Sequence, residues 1–196
     1  MKWTGLTGGI ATGKSTAKKL IEGLGFPVID ADLISHSLTE PGAPGYQGIL
    51  SQFGREILSA GSDRIDRKKL GNRIFSSLPD REILESILHP LIQKEVQSQR
   101  ELYKSRSHRI CFYDVPLLFE KNLQSQFDTT LLIWCDPSTQ LTRLMKRNGL
   151  SVEDARLRMG NQMSLVEKVK RADHCIDNSG NEADLEKQLK RLIPVL

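Results

Sequence analysis

Between Gly8 and Ser15 the chain reads Gly-Gly-Ile-Ala-Thr-Gly-Lys-Ser, a Gly-x-x-x-x-Gly-Lys-Ser spacing set between a strand-like run and a helical one. Residues of these types in that order suit one task. Glycines let the backbone turn tightly with several N–H groups facing inward, and the following helix adds its positive N-terminal end. Lys14 can reach the β- and γ-phosphates of a nucleoside triphosphate, and the Ser15 hydroxyl can ligate Mg²⁺. Three carboxylates and a histidine stand near such a site in the reading. Asp30 and Asp32 follow the second strand, where a carboxylate can take a proton from an acceptor hydroxyl; the competing role for Asp32 is a helix cap. Asp114 ends a later apolar strand, placed to serve Mg²⁺ or to orient Lys14, or else to shape a turn before Val115-Pro116. His89-Pro90 interrupts a helical pattern, and the proline biases His89 away from helical geometry, so its ring could point into a pocket.

A further signal is charge. Between Arg143 and Arg171 stand eight basic and three acidic residues, a surplus that exceeds the net charge of +4 carried by all 196 residues. The rest of the chain is therefore close to neutral. A nucleic-acid binder more often spreads its positive charge over a long face with interleaved aromatics, and aromatics are only 6% here. The cluster instead suits an anionic small molecule, or a solvated helix face.

These groups must be positioned by strands and helices, and the hydropathy pattern supplies them. Strands are expected at Lys2–Thr7, Phe26–Asp30, Arg109–Asp114, Thr129–Asp136 and around Cys175-Ile176. Helices are expected after the glycine-rich loop with Gly25 as a stop signal, over Ser138–Arg147, over Val152–Arg171, and from Glu182 to Leu192. From Leu33 to Arg106 apolar residues recur only at helix spacing, punctuated by Pro41-Gly42-Ala43-Pro44-Gly45 and Gly61-Ser62-Asp63. Strands separated by helices imply an α/β fold with a doubly wound parallel sheet, and the long helical stretch reads as an insertion.

Composition sets the outer bounds. Hydrophobic residues make up 38% and charged residues 27%, with a mean hydropathy of −0.35; this is a globular profile rather than a disordered one. A chain of this length buries roughly 70% of its unfolded surface and needs no staple. Cys111, Cys135 and Cys175 are an odd number without a C-x-x-C, which argues against a disulfide framework or zinc site and suits a reducing cytoplasm. No apolar run approaches the ~18 residues of a membrane span.

The order of motifs resembles the dephospho-coenzyme A kinase family over nearly the whole chain. The resemblance rests on Gly5-Leu6-Thr7-Gly8-Gly9-Ile10, Val28-Ile29-Asp30-Ala31-Asp32, Ile65-Asp66-Arg67, Leu88-His89-Pro90-Leu91-Ile92 and Val115-Pro116-Leu117-Leu118-Phe119-Glu120. Further on it includes Gln140-Leu141-Thr142-Arg143 with Arg147, Arg158 and Gln162, Ala172-Asp173, and Asp177-Asn178-Ser179-Gly180. It implies a P-loop kinase-like five-stranded parallel sheet with an inserted helical acceptor-binding region and a helical lid. The implied division is a core of 1–34, 107–137 and 172–196, an acceptor region of 35–106 and a lid of 138–171. It implies transfer of the γ-phosphate of ATP, with Mg²⁺, to the ribose 3′-hydroxyl of dephospho-coenzyme A. By the same resemblance Asp32 is the catalytic base, with Lys14, Arg143 and Arg147 also catalytic. Ala11, Thr12, Gly13, Lys14, Ser15 and Thr16 hold ATP, and Asn178 lies by its adenine. His89 and Arg67 contact the acceptor, while Ser15 and Asp114 serve the metal.

One departure is visible: Ala11 stands where the family commonly has glycine. A negative φ is expected there, because alanine is costly at positive φ. Two other readings compete. Another small-molecule kinase, such as a shikimate kinase, shares the phosphate loop and an Asp-x-Asp after the second strand. A nucleotide-dependent binding module needs Asp32 only as a cap, but the base-reading N-K-x-D motif of GTPases is absent. Expected partners are ATP and dephospho-coenzyme A, with no nucleic acid and no membrane, and a monomer is favoured.

Overall fold

The computed structural model describes residues 1–196. Its two compact units are residues 1–29 with 103–196, and residues 30–102.

The first unit is built on a five-stranded sheet of spatial order β2-β3-β1-β4-β5. The strands are β1 (Lys2–Gly8), β2 (Val28–Asp30), β3 (Ile110–Asp114), β4 (Thr129–Trp134) and β5 (His174–Asp177). β1 runs parallel to both neighbours: Leu6 stands beside Asp114 of β3, and Gly8 beside Ile133 of β4. Its residues from Trp3 to Gly8 are all buried, as expected of a central strand covered on both faces. Helix α1 (Lys14–Gly23) follows β1 directly, and α9 (Glu182–Leu192) closes the chain. Leu6, Ala17, Ile21, Phe112, Leu131, Ile133, Leu185 and Leu189 form the core here, each large one contributing about 1.5–3 kcal/mol by burial. At the other end of β1, Trp3 stacks on Tyr113 and Phe127 at 5.4 and 5.9 Å between ring centroids.

Helix α6 (Pro137–Asn148) is capped by Asp136, whose carboxylate accepts from Ser138 N at 2.7 Å. The helical stretch expected over Val152–Arg171 is two helices, α7 (Val152–Gly160) and α8 (Leu165–Arg171). Ser164 breaks it by capping α8, its hydroxyl accepting from Glu167 N. The expected lid, 138–171, falls within the first unit, and its Gln140, Leu144, Ala155, Leu165 and Lys168 are buried.

The second unit is helical: α2 (Ala31–Leu38), α3 (Pro44–Phe53), α4 (Arg67–Ser76), and α5 (Leu78–Ser105), which continues past its boundary. Its core is Tyr46, Ile49, Phe53, Ile57, Leu70, Leu84 and Leu88. Asp30, not Asp32, caps α2 by accepting from Leu33 N at 3.0 Å. Asp66 caps α4 through Lys68 N and Lys69 N.

The expected interruption at His89-Pro90 does not occur. α5 runs 28 residues through Pro90, and His89 is exposed on it. Burial of Leu84 and Leu88 outweighs the missing proline N–H. If the helix holds against its proline, Pro90→Ala adds on the order of 1–3 kcal/mol to stability. Urea titration followed by helical circular dichroism checks this, and a lower midpoint contradicts it.

Candidate active site

The residues between β1 and α1 form a loop held by side chains from elsewhere in the chain: from α6, the turn between α7 and α8, α8 itself and the turn after β5. Thr12 Oγ1 donates to Gly9 O at 2.9 Å, closing the loop on itself. Gln140 Nε2 donates to Ile10 O, and Ile10 N donates to Gln162 Oε1, both at 2.8 Å. Asn178 Nδ2 donates to Thr12 O at 2.8 Å. Lys168, fully buried, donates to Gly8 O at 3.3 Å and pairs with Glu120 at 2.8 Å.

Ala11 corrects the expectation of a negative φ: it sits at +59°, in the left-handed region. That conformation costs an alanine about 1–2 kcal/mol. It is imposed from both sides, since the Ile10 and Thr12 peptide groups next to it are each tied down. Gly13, at φ +89°, has no alternative residue: a Cβ there would lie 2.0 Å from Asn178 Nδ2. Left-handed residues alternating with ordinary ones ahead of a helix N-terminus, as Ala11 and Gly13 do here, form an N–H concavity suited to an anion.

Lys14 and Asp114 are brought together as an ion pair, Lys14 Nζ to Asp114 Oδ1, because β3 lies beside β1 and ends level with Leu6. Asp114 is 7% exposed. Ser15 is exposed on the first turn of α1. Arg143 is also engaged: its guanidinium donates to Asn178 O at 2.6 Å and to Gly180 O at 3.1 Å. Thus α6 grips the turn after β5, and a shallow cavity of ≈ 260 Å³ opens beside it, lined by Ser138, Thr139, Thr142 and Arg143. Burial pushes the neighbouring Cys135 thiol up, with Arg143 opposing the shift, so the thiol stays protonated near neutrality. Arg147, one turn on, is exposed and donates to Asn148 Oδ1.

Asp32, Arg67 and His89 belong to the second unit. Asp32 lies exposed in the first turn of α2. Arg67 donates to His36 O at 3.4 Å and stands 3.6 Å from Glu40. It lines a cavity of ≈ 190 Å³ with Thr39, Glu40, Ser59, Arg64 and Ile65; His89 is not part of that lining.

Sequence reasoning placed Lys168 only within the basic segment of the expected lid or a solvated helix face, and gave Gln140, Gln162 and Glu120 no task. Lys168 sits in a run of charged residues whose helix period is too short to show a buried face. Asn178, expected by a base, has its amide committed to the loop.

A glycine-rich anion loop on a central parallel strand, with a lysine–aspartate pair beneath it, marks a P-loop protein, the class that includes kinases transferring phosphate to a hydroxyl acceptor. The dephospho-CoA kinase family model matches residues 2–184, and the chain belongs to that family, whose reaction is the last step of coenzyme A biosynthesis. A dephospho-CoA kinase domain-containing protein of Danio rerio is 48% identical over 96% of this chain and 82% of its own. A dephospho-CoA kinase of Bacillus cereus is 43% identical over 96% and 94%. Among solved structures, dephospho-CoA kinase from Campylobacter jejuni is 31% identical with a TM-score of 0.73, covering 98% of this chain and 95% of that one. A shikimate kinase from Acinetobacter baumannii, 17% identical with a TM-score of 0.53 over 100% and 94%, shares the fold alone.

Two outcomes test the loop. Gly13→Ala combines a strained φ with a clash, so ATP affinity falls at least about a hundredfold, read by calorimetric titration. Lys14→Ala abolishes turnover and also destabilises the fold by about 1–3 kcal/mol, because Asp114 is left buried without its cation. Unchanged thermal stability in Lys14→Ala contradicts the pairing.

Proposed function

We propose that Asp32 takes the proton of the ribose 3′-hydroxyl of dephospho-coenzyme A while that oxygen attacks the γ-phosphorus of ATP. The bond to the bridging oxygen breaks and ADP leaves. The observation that carries this reading is that Asp30 caps α2. With the capping duty discharged by its neighbour, Asp32 is an exposed carboxylate with no structural task, two residues past the end of β2. In parallel sheets the carboxyl ends of strands are where ligands bind, and the phosphate loop follows the carboxyl end of β1.

The ATP phosphates rest on residues 11–16, where the Ala11 and Gly13 amides donate to no protein group, with Lys14 neutralising charge as it builds on the transferring group. Asn178 acts through the loop. Arg143 holds the turn 178–180 against α6, and we place the adenine in the cavity beside it. Arg147 is the exposed cation of the pair and the one we assign to the phosphoryl group. Arg67 serves the acceptor's phosphates from its cavity in the second unit, with His89 as an exposed contact on α5.

The residues fit Mg²⁺. The Ser15 hydroxyl and the Asp114 carboxylate supply protein oxygens, and no cluster of three or more His, Cys, Asp or Glu side chains competes as a dedicated cage. That suits a hard cation that takes most of its ligands from phosphates and water. Bound there, the ion offsets negative charge on the phosphate oxygens.

We further propose a monomeric cytoplasmic enzyme whose partners are ATP and dephospho-coenzyme A, not nucleic acid or membrane. In support, its excess positive charge is concentrated in one segment, and no helix is long and apolar enough to cross a membrane.

Asp32→Asn keeps ATP affinity within about threefold but lowers the rate of phosphoryl transfer about 10²–10⁴-fold. Coupled ADP release with ATP and Mg²⁺, run with and without dephospho-coenzyme A, measures it. Wild-type turnover in Asp32→Asn removes the base assignment, and ADP release indifferent to the acceptor supports a binding module instead.

A further inference from the structure

The contacts on the phosphate loop follow an order. Lys168 Nζ takes the carbonyl of Gly8, Gln140 Nε2 that of Ile10, and Asn178 Nδ2 that of Thr12. These are alternate residues, gripped by side chains from α8, α6 and the turn after β5. Every peptide bond in the chain is trans, and in a trans peptide the C=O of one residue and the N–H of the next point in opposite directions. Drawing the Gly8, Ile10 and Thr12 carbonyls onto these side chains therefore turns the amides of Gly9, Ala11 and Gly13 away from them. The intervening groups are consumed locally: Thr12 Oγ1 and Thr12 N both donate to Gly9 O, and Ile10 N donates to Gln162. Ala11 N and Gly13 N donate to no protein acceptor.

The glycines show the same design from the other direction. A Cβ on Gly9 would lie 2.9 Å from Gln140 Nε2, and one on Gly13 would lie 2.0 Å from Asn178 Nδ2. Part of the loop's glycine content thus makes room for the gripping amides. Lys168 is the costly member. A fully buried ammonium needs a counter-charge, and Glu120 provides it while also accepting from Met163 N at 3.1 Å. The second Glu120 oxygen is buried with no partner. Fold stability alone gives no reason to bury an ammonium here, since an apolar side chain of similar size fills such a space without the desolvation cost.

We propose that Lys168, with Gln140 and Asn178, is a positioning residue for ATP: the three hold alternate carbonyls outward so that the loop amides converge on the phosphates before ATP arrives. The proposal concerns nucleotide binding and is independent of the role given to Asp32.

The test uses Lys168→Met, Gln140→Met and the double variant Lys168→Met/Glu120→Gln in the full chain. Binding of ADP and of a non-hydrolysable ATP analogue is read by calorimetry, together with KM for ATP and for dephospho-coenzyme A and the melting temperature. Each single variant raises the nucleotide Kd and the KM for ATP about tenfold, while the KM for dephospho-coenzyme A moves less than about threefold. Lys168→Met also lowers the melting temperature, because Glu120 is stranded. The double variant removes that stranded charge and recovers the melting temperature, yet its nucleotide Kd stays raised. Nucleotide affinity that returns to the wild-type value in the double variant, or that is unchanged in Gln140→Met, overturns the proposal. So does an equal rise in both KM values.

Discussion

An anion loop made of glycine and small residues has almost nothing with which to hold itself, and that constraint organises the first unit. Its backbone must present several N–H groups to one point, an arrangement that leaves carbonyls to be satisfied elsewhere and amide dipoles aligned against one another. The solution here is to recruit Gln140, Gln162, Lys168 and Asn178, all distant in sequence, onto the backbone of residues 8–12, and Asp114 onto the side chain of Lys14. The positive φ of Ala11 is one result. It is a strained conformation kept because the peptides on both sides have no freedom to relax it.

Two lysine–carboxylate pairs support the loop from different depths. Lys14–Asp114 sits at the end of β3, beside the last residues of β1, with both side chains largely covered; Lys168–Glu120 is covered entirely on the lysine side. Pairs of this kind add little net stability relative to apolar packing, but removing one partner is expensive. They therefore fix geometry more than they strengthen the fold. This is what phosphoryl transfer asks of a protein, since positioning and charge placement supply most of its rate.

How much of this was readable in the residues follows from the range of each interaction. The phosphate loop, the β1–α1 junction and the final helix Glu182–Leu192 were legible because local spacing determines them. Asp114 was legible as a strand-end carboxylate, and its pairing with Lys14 followed once β3 neighboured β1. His89-Pro90 misled because a local backbone bias was weighed without the tertiary burial of Leu84 and Leu88 that carries α5 through it. The cap weighed as the competing role of Asp32 falls to Asp30, since two aspartates two positions apart at a helix start cannot be told apart by propensity; the hydrogen bond from Leu33 N decides. Lys168, Gln140 and Gln162 were invisible as loop contacts. Each reaches a partner at least 130 residues away, and no periodicity encodes that.

The placement of the two tryptophans has an optical consequence. Trp3 is held in a ring stack with Tyr113 and Phe127 at the entry of β1. Trp134, half-covered at the exit of β4, accepts a hydrogen bond from Asn178 N through its carbonyl, one residue group away from the amide that braces the loop. The two indoles thus sit at opposite ends of the sheet, and a change in Trp134 emission on adding ATP would read the proposed nucleotide end without a label.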